Sequence, residues 1–155
     1  AAITDFSGGF PAFEAPPVSV QRIGRFQAFA LTGPSPEMQG LAADCVTVFD
    51  RFRAPPSEAE LAKRRARGLS ERQESYLQQW GYPYVMEEFR FHMTMLGSTS
   101  DEAVHAAVTG YIAPRAAHFA EQPLAVDAIC LYRQETTKAP FLLVERFPFR
   151  LWLSG

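Results

Sequence analysis

The segment that most constrains the fold is FRFHMTML, residues 89–96, in which apolar and polar side chains alternate. Such alternation is typical of a β-strand, because successive side chains of a strand point to opposite faces. One predicted face is entirely apolar and consists of Phe89, Phe91, Met93 and Met95. The other face has three polar side chains and closes with a leucine: Arg90, His92, Thr94 and Leu96. We therefore predict a strand whose apolar face packs on a core and whose polar face is open to a ligand.

The polar face of this strand carries groups that suit phosphate chemistry. The imidazole of His92 can exchange a proton near neutral pH. The Thr94 hydroxyl and the Arg90 guanidinium can each bind a phosphate oxygen. Neighbouring side chains on one face of a strand are about 6–7 Å apart, so two of them can contact the same phosphate group. From the spacing alone, a histidine with a purely structural role is the more frequent alternative.

Residues 92–95, HMTM, resemble the His-x-Thr/Ser-x motif, with an apolar last position, of the two-histidine (LigT-like) phosphoesterases. The longer run WGYPYVMEEFRFHMT, residues 80–94, resembles a branch of that superfamily found with phosphonate-utilisation genes. Three more stretches resemble the same branch: residues 20–26, 49–55 and 123–128. The resemblance implies a two-lobed α+β fold and a phosphoesterase activity that needs no metal ion or other cofactor.

The chain departs from that family in having one such motif instead of two. His105 is followed by Ala-Ala and His118 by Phe-Ala, so neither fits the pattern. The resemblance places the first motif upstream of Ala1. We therefore expect a single domain that forms the C-terminal part of a longer protein and lacks its N-terminal lobe segment. Residues 1–17 are expected to be an irregular remnant or the tail of a helix, because SGG and three prolines interrupt regular structure.

The resemblance also implies roles for the residues of the motif. One histidine of the pair activates water and the other protonates the leaving oxygen; which of the two roles His92 has stays open. Thr94 would bind the phosphate. Arg90 would either neutralise phosphate charge or pair with Glu87 or Glu88.

Two tyrosines before the strand, Tyr82 and Tyr84, are further candidates for substrate binding. Either ring can stack on a base or a ribose, and filling the cleft wall is the alternative role. The expected ligand is a small phosphorylated substrate or a nucleotide, with RNA as a further possibility. The candidate substrates are a ribosyl cyclic phosphate, a nucleotide 2′,3′-cyclic phosphate and an RNA end. A non-catalytic nucleotide- or RNA-binding module, or an inactive fragment, is the alternative to an enzyme.

The rest of the chain predicts an α+β fold with a mostly antiparallel sheet. Two β-hairpins are predicted, at residues 18–31 and 124–149. A helix is predicted to begin after Ser35 and to end at the Ala-Pro-Pro segment 54–56. Capping boxes predict three more helix starts, at Ser57, Ser70 and Thr99. The last of these helices is predicted to run to about residue 122, with a kink at Pro114.

Composition excludes some functional classes. The net charge of −2 over 155 residues argues against indiscriminate nucleic-acid binding. The basic run at residues 63–67 is predicted to be a solvated helix face, with a phosphate or RNA patch as the alternative. Cys45 and Cys130 are predicted to be buried reduced thiols. No membrane span and no signal peptide is recognisable, so a cytoplasmic protein is expected. Residues 151–155 are either a docked tail or an added remnant.

Overall fold

The computed structural model describes residues 2–150, and these form an α+β fold, as predicted. The helices are α1 (Ala2–Gly9), α2 (Pro36–Phe49), α3 (Glu58–Arg65), α4 (Glu71–Trp80) and α5 (Glu102–Arg115). The strands are β1 (Phe13–Ala15), β2 (Val18–Ile23), β3 (Phe26–Leu31), β4 (His92–Leu96), β5 (Leu124–Val126), β6 (Ala128–Arg133) and β7 (Leu142–Pro148). Within the described part of the chain, no helix is both long and apolar enough to cross a membrane.

The strands form three small antiparallel sheets, in the orders β2-β3-β4, β1-β5 and β6-β7. The first predicted hairpin is therefore confirmed; the second is confined to β6 and β7, because β5 pairs with β1 instead. The turn of the first hairpin is at Gly24, whose φ of +59° favours glycine. Asp127 separates β5 from the second hairpin, and its carbonyl accepts a hydrogen bond from the Phe149 amide at 2.7 Å.

The main core lies between α2 and the β1-β5 sheet. Its buried members are Ala12, Phe13, Ala15, Met38, Leu41 and Phe149. Met38, Leu41 and the partly buried Cys45 form the apolar stripe of α2. Phe89 and Phe91 also pack against this cluster, so the segment that leads into β4 is anchored to the core.

Helix α5 and the 3₁₀ turn Ala117–Ala120 lie against one face of the β2-β3-β4 sheet. Phe29 on β3 meets Phe119 edge to face, with ring centroids 5.8 Å apart. The buried Gln27 side chain donates a hydrogen bond to the His105 carbonyl at 3.2 Å, which ties β3 to α5. On the opposite face, Ala28 and Ala30 of β3 are buried, and the exposed side chains His92 and Thr94 lie on the edge strand β4.

Three predicted helix caps are confirmed and one is wrong. Ser35, Ser57 and Ser70 each accept a hydrogen bond from a backbone amide at the start of their helix, and the last two form full capping boxes. The predicted cap Thr99 is replaced by Asp101, whose carboxylate accepts from two amides of the first turn of α5. The Thr99 hydroxyl instead accepts from the Asp101 amide, so it supports the cap from outside the helix.

Several predicted boundaries move. Residues 2–9 form α1, which agrees with the helix alternative for this segment, and residues 13–15 form β1, which was not predicted; the two glycines at the end of α1 are exposed and need not pack. The strand predicted for residues 89–96 begins at His92, because the preceding phenylalanines pack on the core instead of pairing. Helix α2 ends at Phe49 and a 3₁₀ turn follows it. Helix α5 continues through Pro114 but stops at Arg115.

The surface differs from the prediction at the cysteines. Cys45 is half-buried, but Cys130 is exposed on β6, so only the expectation of free thiols holds for both. Burial raises the pKa of the Cys45 thiol to about 11. The β6-β7 hairpin also exposes several large apolar side chains: Leu131, Tyr132, Leu142, Leu143 and Val144. The predicted C-terminal tail, residues 151–155, lies outside the described residues.

Gly81 ends α4 with a φ of +68°. In Gly81→Ala the new Cβ would lie 2.5 Å from a guanidinium nitrogen of Arg53, which pairs with Asp50. We expect the free energy of unfolding to fall by about 1–2 kcal/mol from backbone strain, and further because Arg53 must move. Gly24→Ala is the matched control, since Gly24 has φ +59° and open space around it. Urea denaturation checks this, and equal losses in the two variants would contradict a role for the Arg53 contact.

Candidate functional site

The candidate site is the sheet face opposite α5. In the antiparallel register, His92 pairs with Ala30 and Thr94 pairs with Ala28. Directly paired residues point to the same side of a sheet, so His92 and Thr94 share a face, as predicted. Both side chains are exposed.

Strand β2 adds two polar side chains to the same face. Ser19 pairs with Ala30, and Gln21 pairs with Ala28. Because strands are about 4.8 Å apart, these side chains lie about 10 Å across the sheet from His92 and Thr94. The Gln21 amide donates hydrogen bonds to the Ser19 hydroxyl at 3.2 Å and to the Leu31 carbonyl at 3.1 Å. The alternation of β2 predicts that Ser19 and Gln21 lie on the face opposite its valines. Their register with β4 cannot be read from the sequence.

The ring of His92 is held in one orientation. Its Nδ1 lies 2.7 Å from the Arg90 carbonyl oxygen. A carbonyl can only accept a hydrogen bond, so Nδ1 carries the hydrogen. In the neutral ring, Nε2 is then the atom that accepts a proton, and in the charged ring it is a donor. The ring also contacts Phe26, with centroids 5.4 Å apart, which restricts its rotation further.

The register of β4 changes directly after Thr94. Thr94 pairs with Ala28, whereas Leu96 pairs with Gln27, so Met95 is an extra residue at a β-bulge. Met93 follows the predicted alternation and lies on the α5 side, opposite Phe29. It is nevertheless 43% exposed, because β4 is the edge strand of its sheet and α5 contacts β2 instead.

The segment that precedes β4 is held by side chains from two helices. Met86 has a φ of +50°, which is a strained conformation for a residue with a side chain. Its carbonyl accepts a hydrogen bond from the Gln39 amide of α2. On α4, Gln73 donates to the Glu88 carboxylate at 2.8 Å and Tyr76 donates to Glu87. The hydrogen bond from Tyr76 lowers the pKa of the Glu87 carboxyl group.

These contacts bear on the alternative role of Arg90, an ion pair with Glu87 or Glu88. Glu87 and Glu88 are bonded to α4, and within residues 2–150 Arg90 forms no ion pair with either of them. Arg90 is exposed and lines a groove of about 400 Å³ between β2, the start of α2 and residues 89–91. Its guanidinium is therefore available to a ligand.

Among the described residues, the ring contacts of Tyr82 and Tyr84 do not include His92. Their rings meet edge to face, with centroids 5.6 Å apart, and the Arg64 guanidinium lies 4.5 Å from the Tyr82 ring centre. Neither tyrosine lines the groove beside Arg90. Arg65 forms an ion pair with Glu74 at 2.8 Å, so two members of the basic run are used within the protein. These contacts favour the prediction of a solvated helix face over an RNA patch.

The other histidines are separate from this face. His105 is 4% exposed, and its Nε2 lies 3.2 Å from the Thr99 carbonyl. His118 stacks on Phe119, with ring centroids 4.0 Å apart. In the part of the chain that the structure covers, no group of three histidine, cysteine, aspartate or glutamate side chains has a geometry that could hold a metal ion.

Residues 1–142 match the family described as Protein of unknown function (DUF1045). The chain belongs to this family. It is also 45% identical over 139 residues to a Janthinobacterium protein, strain Marseille, named Ribose 1,5-bisphosphate phosphokinase PhnN. That alignment covers 85% of this chain and 30% of the relative, so the chain spans less than a third of the relative's length. No solved structure matches the chain.

Proposed function

We propose that this DUF1045 chain is the second half of a two-histidine phosphoesterase that hydrolyses a small phosphodiester. The observation that carries the proposal is that His92 and Thr94 are exposed and share one face of the sheet, with the Nε2 of His92 free for proton transfer. A positioned proton-transfer group and a phosphate-binding hydroxyl are the parts that such a reaction requires. The reaction needs no metal ion when a histidine pair moves the protons.

In this proposal His92 transfers a proton at Nε2 while the Arg90 carbonyl stabilises the charged ring through Nδ1. The Thr94 hydroxyl donates to a non-bridging phosphate oxygen one step along the strand. Arg90 lines the adjoining groove instead, so its guanidinium has no part at the reacting phosphate in this proposal. Both the attack of water on phosphorus and the departure of the leaving oxygen need a proton transfer, so a second group must supply the other one.

That second group would come from a first lobe that carries the first histidine. The exposed apolar side chains of the β6-β7 hairpin support this part of the proposal. These side chains lie on both faces of the hairpin, because Tyr132 pairs with Leu143 whereas Arg133 pairs with Leu142. Large exposed apolar side chains are typical of a segment that another part of a protein covers. We infer that the first lobe packs on this hairpin.

The name of the Janthinobacterium relative supports a place in phosphonate metabolism, in agreement with the resemblance of residues 80–94 to a phosphonate-associated branch. The phosphokinase activity in that name need not belong to the matched part. The present sequence contains no G-x-x-x-x-G-K-S/T loop, which many phosphokinases use to hold a nucleotide. We infer that the matched 30% of the relative is a part other than such a nucleotide-binding segment.

The proposal predicts a specific requirement for the hydroxyl of Thr94. Thr94→Val keeps the shape of the side chain and removes the hydroxyl, whereas Thr94→Ser keeps the hydroxyl. A hydrogen bond to a charged group contributes about 1.5–3 kcal/mol, so Thr94→Val should lower kcat/KM by about 10–100-fold. The assay follows hydrolysis of cyclic phosphodiesters by the full-length protein in the presence of a metal chelator. Equal activity of the valine and serine variants would contradict the role of Thr94.

A further inference from the structure

The groove adjoins the candidate site, and neither His92 nor Thr94 lines it. Gln21 and Ala30 belong both to the face that carries His92 and to the wall of the groove. The far end of the groove is formed by the segment Gly33, Pro34 and Ser35, which leads into α2. Its volume of about 400 Å³ is within the range of small-molecule sites, roughly 300–1,000 Å³. A ligand held at His92 and Thr94 can therefore extend into this groove.

The charge of the groove favours an anion. Among the described residues, none that lines it is acidic. Two arginines line it, but only one is free: Arg22 forms an ion pair with Glu102 at 2.6 Å, whereas Arg90 has no ion pair within residues 2–150. A guanidinium without a carboxylate partner is a strong phosphate ligand. Arg90 therefore favours a negatively charged group in the groove.

The neutral part of the wall favours hydroxyl groups over an aromatic base. The side-chain oxygens of Gln21 and Gln39 can accept hydrogen bonds from sugar hydroxyls, since the NH₂ groups of both residues already donate within the protein. The aromatic residues in the wall, Phe89 and Phe91, pack against the core cluster and cannot form a two-sided stack. Base recognition usually relies on stacking against an aromatic ring. A sugar is therefore better matched to the groove than a nucleobase.

We propose that the groove binds a phosphorylated sugar portion of the substrate, with its phosphate on Arg90 and its hydroxyls near Gln21 and Gln39. This inference rests on the proposed function, because it assigns the remaining part of the molecule whose phosphodiester meets His92 and Thr94. It gives the substrate two phosphate groups, one that reacts and one that is only bound. It also separates the substrate class from cyclic nucleotides, which carry a base instead of a second phosphate.

The test is equilibrium binding of ribose 5-phosphate to the full-length protein by calorimetry, which needs no turnover. Arg90→Gln should weaken binding at least about tenfold, the loss expected for one charge-assisted contact. Arg25→Gln is the matched control, because Arg25 is exposed on the turn between β2 and β3 and does not line the groove. The control variant should bind as the wild-type protein does. Adenosine 5′-monophosphate, which adds a base to the same sugar phosphate, should bind at least tenfold more weakly.

Two results would overturn the assignment: equal affinity of the wild-type and Arg90→Gln proteins for ribose 5-phosphate, or equal affinity of the wild-type protein for the two ligands. The outcome is distinct from a failure of the proposed function. If the binding pattern is found but no phosphodiester is hydrolysed, the groove assignment stands and the phosphoesterase proposal falls. If hydrolysis occurs and Arg90→Gln leaves ribose 5-phosphate binding intact, only the groove assignment is lost.

Discussion

Replacing His92 with alanine is expected to lower turnover of a cyclic phosphodiester by the full-length protein about 10²–10⁴-fold. This is the range that a positioned general acid or base contributes. The side chain is exposed, and its recorded contacts are the Arg90 carbonyl and the Phe26 ring, so the fold should survive the change. Phosphate release under saturating substrate measures turnover, and circular dichroism reports whether the protein is still folded.

His118→Ala is the control for this experiment. His118 is also exposed, but it lies on the 3₁₀ turn that contacts the opposite side of the sheet and stacks on Phe119. Its replacement should leave turnover within about twofold of the wild-type value. A folded His92→Ala protein that keeps wild-type turnover would contradict the site assignment, whatever the control shows.

The largest effect on stability is expected for Leu77→Ala. Leu77 is 1% exposed and is the only residue of α4 that is buried, so its side chain anchors that helix. Leucine-to-alanine changes at buried positions usually cost about 2–5 kcal/mol, because contacts are lost and a cavity remains. Urea denaturation followed by circular dichroism measures the free energy of unfolding.

Gln79→Ala is the matched change on the same helix, since Gln79 is exposed and alanine is a good helix former. We expect its free energy of unfolding to lie within about 0.5 kcal/mol of the wild-type value.

Gln73 and Tyr76, which hold Glu88 and Glu87, are carried by the same helix. Loosening α4 should therefore also weaken the hold on the segment before His92. A loss below 1 kcal/mol for Leu77→Ala would show that α4 is not anchored by this residue.

Local sequence signals predicted most of the elements correctly. The hydroxyl caps at Ser35, Ser57 and Ser70 are short-range features, and the residues that define them are at most three positions apart. The hairpin turn at Gly24 is equally local. The Ser/Thr-x-x-Glu pattern predicts the cap of α5 at Thr99 and does not point to Asp101. Asp101 caps the helix because its carboxylate accepts hydrogen bonds from two backbone amides at once.

The candidate site could be predicted only in part. Alternation was enough to place His92 and Thr94 on one face of a strand. It could not show that Ser19 and Gln21 share that face, because their pairing depends on the register of β2 with β3 and of β3 with β4. The contact between the Arg64 guanidinium and the Tyr82 ring could not be predicted either, since it joins residues from different elements.

The β-bulge at Met95 has a consequence for the loop lengths that can follow β4. The pairs on its N-terminal side fix which way His92 and Thr94 point, and a shift by one residue there would turn both to the α5 side of the sheet. Beyond the bulge, the register of β4 with β3 has already shifted by one residue. A deletion or insertion in the loop at residues 97–100 would therefore be absorbed without reorienting the imidazole. Relatives with loops of different lengths at this point can keep the same chemistry on the sheet.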